Sequence, residues 1–138
     1  MSQSEFVDNF EILNGPDLKV VFTGPKFSDD GWLESYMFTI AGNGIEASIR
    51  VDNPPYGHSP YVLFEQMNNE WSGWKEPKGW GAMEGEYNLR ATYEPRGHIL
   101  LSAEIVNLSG SWSTIASIDI EAGELESLAR RAKAFFGC

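Results

Sequence analysis

Apolar and polar residues alternate with a period of two along most of this chain, and the period lengthens to that of a helix in two places. Ile45, Ala47, Ile49 and Val51 alternate with Glu46, Ser48, Arg50 and Asp52, which is the clearest half-buried strand. Tyr36, Phe38 and Ile40 line one face of the strand before it, and Gly42-Asn43-Gly44 supplies the positive-φ residues of a tight hairpin between the two. Upstream, Phe10 to Leu13 and Leu18 to Thr23 read as short strands around the turn cluster Asn14-Gly15-Pro16-Asp17, and Pro25 to Gly31 reads as a loop. Asn53-Pro54-Pro55 stops the run of strands, because proline lacks an amide donor and restricts the residue before it. Ser59 then caps a helix whose first position is Pro60. Tyr61, Phe64, Met67 or Asn68, and Trp71 follow at helical spacing, a stripe that makes Trp71 a core residue.

The second half repeats this plan. Tyr87, Leu89, Ala91 and Tyr93 form one strand face; after the turn Pro95-Arg96-Gly97, Ile99, Leu101, Ala103 and Ile105 form the next. Asn107-Leu108-Ser109-Gly110 turns the chain into a last strand carrying Trp112, Thr114, Ala116, Ile118 and Ile120. A helix from Gly123 to Phe136 closes the domain, with Leu125, Leu128, Ala129, Ala132 and Phe136 on one face. Its start carries Glu124 and Glu126 and its end Arg130, Arg131 and Lys133, which complements the helix dipole. Strands joined by short turns pair antiparallel, and two amphipathic helices cover one face of a sheet. The pattern therefore predicts an α+β fold: an antiparallel sheet of about six to seven strands with two helices packed on one face, in a strands-helix-strands-helix pseudo-repeat.

Length and composition place all 138 residues in one ordinary globular domain, with residues 1–8 polar and frayed. No apolar run approaches the ~20 residues of a membrane span, and Met1 to Phe10 lacks a signal-peptide pattern, so a cytoplasmic location is expected. Twenty acidic and ten basic residues give a net charge of −10, which disfavours nucleic acid and favours a basic protein partner. Oligomeric state stays open between monomer and homodimer.

No catalytic, cofactor or metal signature is present. Cys138 is the only cysteine, and His58 and His98 have no partner at metal-ligand spacing. Gly57-His58-Ser59-Pro60-Tyr61 begins like a nucleophile elbow, but Tyr61 replaces the glycine that the tight turn demands. Glu104 and Asp119 could approach across neighbouring strands as an acid–base pair, yet an acidic chain supplies such pairs by chance.

Two features point to binding. The segment Trp71 to Trp80 holds three of the five tryptophans, and Trp74 and Trp80 fall outside the helical stripe, where they either stack on a ligand or plug the core. The polar sheet face would carry Glu46, Arg50 and Asp52 from the first half and Arg90, Glu104, Asp119 and Glu121 from the second, with His98 sharing its parity. Such a face can steer a basic protein without catalytic geometry. The partner-binding candidates are thus Trp74, Trp80, Glu46, Asp52, His98, Glu104, Asp119 and Glu121. The alternative is a small-molecule binder or enzyme whose pocket lies between the Trp71 to Trp80 segment and the helices, with His58 or His98 as its polar group.

The landmarks Trp71-x-Gly73-Trp74, Trp80, Glu84-Gly85, Gly97-His98-Ile99, Trp112 and Ile120-Glu121-x-Gly123-Glu124-Leu125 resemble a bacterial family known as domain of unknown function 6228. That resemblance covers most of Phe10 to Phe136 and implies a fold without implying an activity. Asp30-Gly31-Trp32-Leu33 before paired strands, a helix, more strands and an acid-started helix is also similar in layout to small bacterial immunity proteins. This second resemblance implies an acidic, cytosolic binder that blocks a toxin.

Overall fold

A computed structural model describes residues 7–53 and 59–137. Four strands, β1 (Asn9–Asn14), β2 (Leu18–Phe27), β3 (Leu33–Gly42) and β4 (Ile45–Asp52), form an antiparallel sheet in the order β1-β2-β3-β4. The helix α1 (Tyr61–Asn69) follows. Four more strands, β5 (Lys78–Gly81), β6 (Tyr87–Glu94), β7 (His98–Val106) and β8 (Ser113–Glu121), make a second antiparallel sheet in the order β5-β6-β7-β8, and the helix α2 (Leu125–Phe136) ends the fold.

The architecture is α+β, as the pattern predicts, but the single sheet of about six to seven strands is replaced by two sheets of four. The reason is apolar surface. Both halves present a full apolar face, and helices of 9 and 12 residues are too small to cover both. The sheets instead pack on each other: Phe38 of β3 stacks on Tyr87 of β6 with ring centroids 4.2 Å apart, and one cluster of buried residues joins both sheets and both helices. Each sheet consequently keeps its own polar outer face.

The strand β5 lies outside the sequence expectation because Lys78-Gly79-Trp80-Gly81 has little strand propensity, and pairing with β6 recruits it. β2 also runs on through Pro25, at a register shift where a missing amide is tolerated. In the β3–β4 hairpin, Gly44 alone supplies a positive φ, at 91°.

Ser59 Oγ accepts the Tyr61 amide at 3.3 Å, but α1 starts one residue later than the sequence indicates, with Pro60 at helical angles in the cap position and Tyr61 as the first helical residue. It stops earlier than the apolar stripe suggests. The Glu70 amide closes the last turn on the Gln66 and Met67 carbonyls, which leaves Trp71 beyond the helix and 62% exposed. Trp71 is therefore a surface residue, and the buried face of α1 is Leu63, Phe64 and Met67. Glu121 and Glu124 form a reciprocal capping box on the short 3-10 turn Ala122–Glu124 that leads into α2, and Gly137, at φ 75°, ends the helix.

Candidate interaction surfaces

The strand registers arrange the outer face of the second sheet in rows. Glu94, His98 and Glu121 form one row, with His98 Nδ1 at 3.1 Å from Glu121 Oε2. Leu100 and Asp119 share the next row, and Arg90, Ser102 and Ser117 the one after. Asn88, Glu104 and Ile115 follow, with Asn88 Nδ2 donating to Glu104 Oε1 at 3.2 Å. Glu104 and Asp119 are thus two rows apart, roughly 13 Å by strand rise, and do not form the acid–base pair that neighbouring strands could have made.

Glu46 and Asp52 lie on the outer face of the other sheet, so the single acidic face expected from the sequence is divided in two. The first sheet's outer face is also better compensated. Lys19 lies 3.9 Å from Glu11, Arg50 donates to Ser35 Oγ at 2.8 Å, and the Thr39 and Ser48 hydroxyls meet at 2.9 Å.

The tryptophan segment is a strap built onto the second sheet. Trp74 is half-buried, its Nε1 donates to the Ala91 carbonyl at 3.2 Å, and its ring meets Tyr93 edge-on with centroids 4.9 Å apart. The Lys78 ammonium sits 5.2 Å from the Trp74 ring and 2.8 Å from Glu70. Tyr93 Oη donates to the Trp71 carbonyl at 3.0 Å, and Gly73, at φ 134°, lets the chain pass so close that a Cβ there would lie 3.5 Å from the Tyr93 ring. Trp80 is half-buried and packs on Tyr87 at 5.2 Å. Both rings that were candidates for stacking therefore pack against the core.

The exposed apolar side chains are elsewhere. Met83, Leu108, Trp112 and Ile115 are 72, 59, 44 and 66% exposed and belong to one end of the second sheet, where the β5–β6 and β7–β8 connections meet. Trp112 escapes the strand periodicity because β8 begins one residue later and Trp112 lies in the loop, its carbonyl accepting the Asn107 amide at 3.0 Å.

Sequence periodicity also misses a buried polar cluster. The Tyr36 and Tyr87 hydroxyls hydrogen-bond to each other across the sheets, and nearby Glu86 is buried with its Oε1 unpaired. Burial pushes both tyrosines above their ordinary value. Tyr36 and Tyr87 read only as apolar strand positions, and Glu86 as one more acid before β6. No signal in the sequence marks their meeting.

The groove beside the tryptophan segment has a volume of about 360 Å³ and is lined by residues of β5 and β6, among them Trp80, Asn88 and Arg90. It lies against the sheet, away from the expected position next to the helices, and His98 is not part of it. His58 falls outside the described residues. Among the described residues, no three of His, Cys, Asp and Glu gather as a metal-ligand group.

A profile described as a family of unknown function, DUF6228, matches residues 12–138. The chain belongs to that family. The landmarks from Trp71 to Leu125 all fall inside the matched span. No curated protein matches this DUF6228 chain. A solved structure titled "Structure of the plant transcriptional regulator PBF-2" is similar to it with a TM-score of 0.53 and 12% identity, covering 94% of this chain and 79% of that one. At that identity the likeness describes the fold of the DUF6228 domain and nothing further.

Proposed function

We propose that this DUF6228 chain is a noncatalytic protein-binding domain that docks a basic partner on the outer face of its second sheet. The observation that carries the reading is the charge on that face: Glu94, Glu104, Asp119 and Glu121 project from three hydrogen-bonded strands, against Arg90 as the facing cation. A rigid acidic face speeds encounter with a basic protein and disfavours a phosphate backbone. The exposed Met83, Leu108, Trp112 and Ile115 at one end of the face supply the apolar contact that charge alone lacks. In its finer form this reading makes the domain an immunity-like inhibitor of a basic toxin, which rests on net charge and layout. The similar plant structure is titled a transcriptional regulator; the charge of −10 here weighs against transferring nucleic-acid binding.

The test uses the wild-type chain and the double variant Glu104→Lys, Asp119→Lys as baits at low and high salt. A partner kept by the wild type at low salt, released at high salt and absent from the variant supports the reading. Identical sets of bound proteins on both baits would sink it.

A further inference from the structure

Strand β1 is the outermost strand of the first sheet, and among the described residues one of its edges carries no hydrogen-bonded partner strand. In an antiparallel strand each residue points its amide and carbonyl to the same side, and the side alternates from residue to residue. Arg131 of α2 donates from Nη1 to the Glu11 carbonyl at 2.7 Å. That bond places the Glu11 backbone on the open edge and, by alternation, those of Asn9 and Leu13. Arg131 is held in place by Ser127 Oγ, 3.2 Å from its Nε, and by the Phe10 ring, 5.5 Å from its guanidinium. On either side of Arg131 the edge opens into a concavity: about 540 Å³ towards Val7 and Ala134, and about 270 Å³ towards Leu13, Ile120 and Leu128. The two form a trough along β1 walled by α2 and, at the Leu13–Asn14 end, by β8, where the Asp119 amide donates to Asn14 Oδ1 at 3.2 Å.

We infer that this trough receives an extended basic segment of a partner protein, which adds to the sheet beside β1 and displaces the Arg131 bond to Glu11. Strand addition uses the unpaired main-chain groups for affinity and side-chain surroundings for choice. Here the surroundings are acidic: Asp8, Glu11 and Glu124 line the trough, and the cation among its lining residues, Arg131, is already engaged. A second copy of the chain fits less well, since antiparallel pairing of β1 with itself about Glu11 sets two carboxylates directly opposite, which destabilises a sheet. Natural proteins guard open edges with charge and covering helices. Arg131 is such a guard, and it occupies one edge acceptor through a side chain that can swing away. The trough adjoins β8 at its Asn14 end but draws on the β1 edge and not on the side chains of the second sheet's outer face, and the inference stands without the reading given for that face.

The test titrates a capped peptide of alternating lysine and valine, about six residues long, into the full chain while amide exchange is followed by NMR. Asn9 and Leu13 amides should slow by about tenfold or more on saturation. Leu13→Pro, which removes an edge donor where proline is tolerated, should weaken binding by about tenfold, and a fully N-methylated peptide should bind the wild-type chain about tenfold more weakly than the unmethylated one. Arg131→Ala should tighten it, because the competing donor is gone. Glu84→Lys, an exposed charge reversal in the β5–β6 turn away from β1, should leave the affinity unchanged. Equal binding of the N-methylated peptide, or loss of binding in Glu84→Lys with unchanged exchange at Asn9 and Leu13, would overturn the inference and assign the peptide to general attraction by acidic surface.

Discussion

The first sheet points Phe10, Phe22, Tyr36 and Phe38 into the core, whereas the second buries mostly aliphatic side chains, among them Leu89, Ala91, Ile105 and Ile118, with Tyr87 as the ring it sets against Phe38. Outside, the contrast runs the other way. The first sheet sets Glu11, Glu46 and Asp52 among Lys19, Arg50 and paired hydroxyls; the second sets Glu94, Glu104, Asp119 and Glu121 against Arg90. The strand order is the same in both. Close packing accommodates the inner difference, because the first sheet's rings interlock with Phe64, Phe135 and Phe136 of the helices and with Tyr87, and smaller aliphatic side chains fill the rest of the layer opposite. Packing places no such constraint on the outer faces, so the charge imbalance there is open to a binding role. The pseudo-repeat is one of topology, and the two halves do different jobs.

If the aromatic sheet organises the core, truncation there should have the largest effect. Phe22 is fully buried, and its ring lies between 5.0 and 6.4 Å from those of Phe10, Tyr36, Phe38, Tyr87, Phe135 and Phe136. Phe22→Ala should cost about 3–5 kcal/mol in urea unfolding, while Ile118→Val in the facing sheet should cost about 0.5–1.5 kcal/mol. Because one core serves both sheets, each variant should still unfold in a single transition. A second transition would break the comparison by showing that the sheets are separate folding units.

A middle-sized effect is expected where the sheets meet through oxygen instead of carbon. Tyr36→Phe leaves the Tyr87 hydroxyl buried without its partner, a loss of about 1–3 kcal/mol. Adding Tyr87→Phe should cost less than the sum of the two single changes, since the second removes the orphaned group. The pH dependence has a definite sign. Burial holds both hydroxyls above the tyrosine value of 10.0, so an unfolded chain ionises near that pH while the folded pair stays protonated. Their contribution is complete below pH 10.0 and is lost as pH rises above it, and the double Phe variant should show a flatter alkaline limb. Equal limbs in both proteins would remove this pair from the link between the sheets.

Local pattern carried much of the fold and less of the surfaces. Strand β4 is legible because Ala47 to Val51 obeys a period of two with one face in water, and α2 because its apolar stripe and its acidic start and basic end agree. Two sheets instead of one is a decision made by long-range burial, and no local period encodes which faces meet. Trp71 shows the same limit at a single residue: it continues the apolar spacing of α1, yet the helix stops before reaching it. Trp74 and Trp80 stand in a segment rich in glycine and proline that reads as exposed, and hydrogen bonds and ring contacts to β6 turn them inward. The β1 edge was hidden for a different reason, since an edge is defined by the absence of a neighbour and Arg131 is 120 residues from the carbonyl it guards.

The smallest effect separates the hairpins of the two sheets. In the first, Gly44 takes a φ of 91°, with open space where a Cβ would stand. In the second, the turn Pro95–Gly97 places Arg96 at φ 70°, the one non-glycine residue with a positive φ among the described residues. The left-handed region costs an L-residue about 1–2 kcal/mol, and a glycine there returns part of that gain through the freedom it adds to the unfolded chain. Arg96→Gly should therefore stabilise by about 0.5–1 kcal/mol, and Gly44→Ala should destabilise by about 1 kcal/mol. The opposite signs follow from backbone geometry alone, because Arg96 is exposed and the Gly44 site has room. If Arg96→Gly instead lowers stability, the Arg96 side chain contributes more than its strain removes. The nearest source of that contribution would be the acidic row of Glu94 and Glu121 at the same end of the sheet, and the second hairpin would then belong to its charged face.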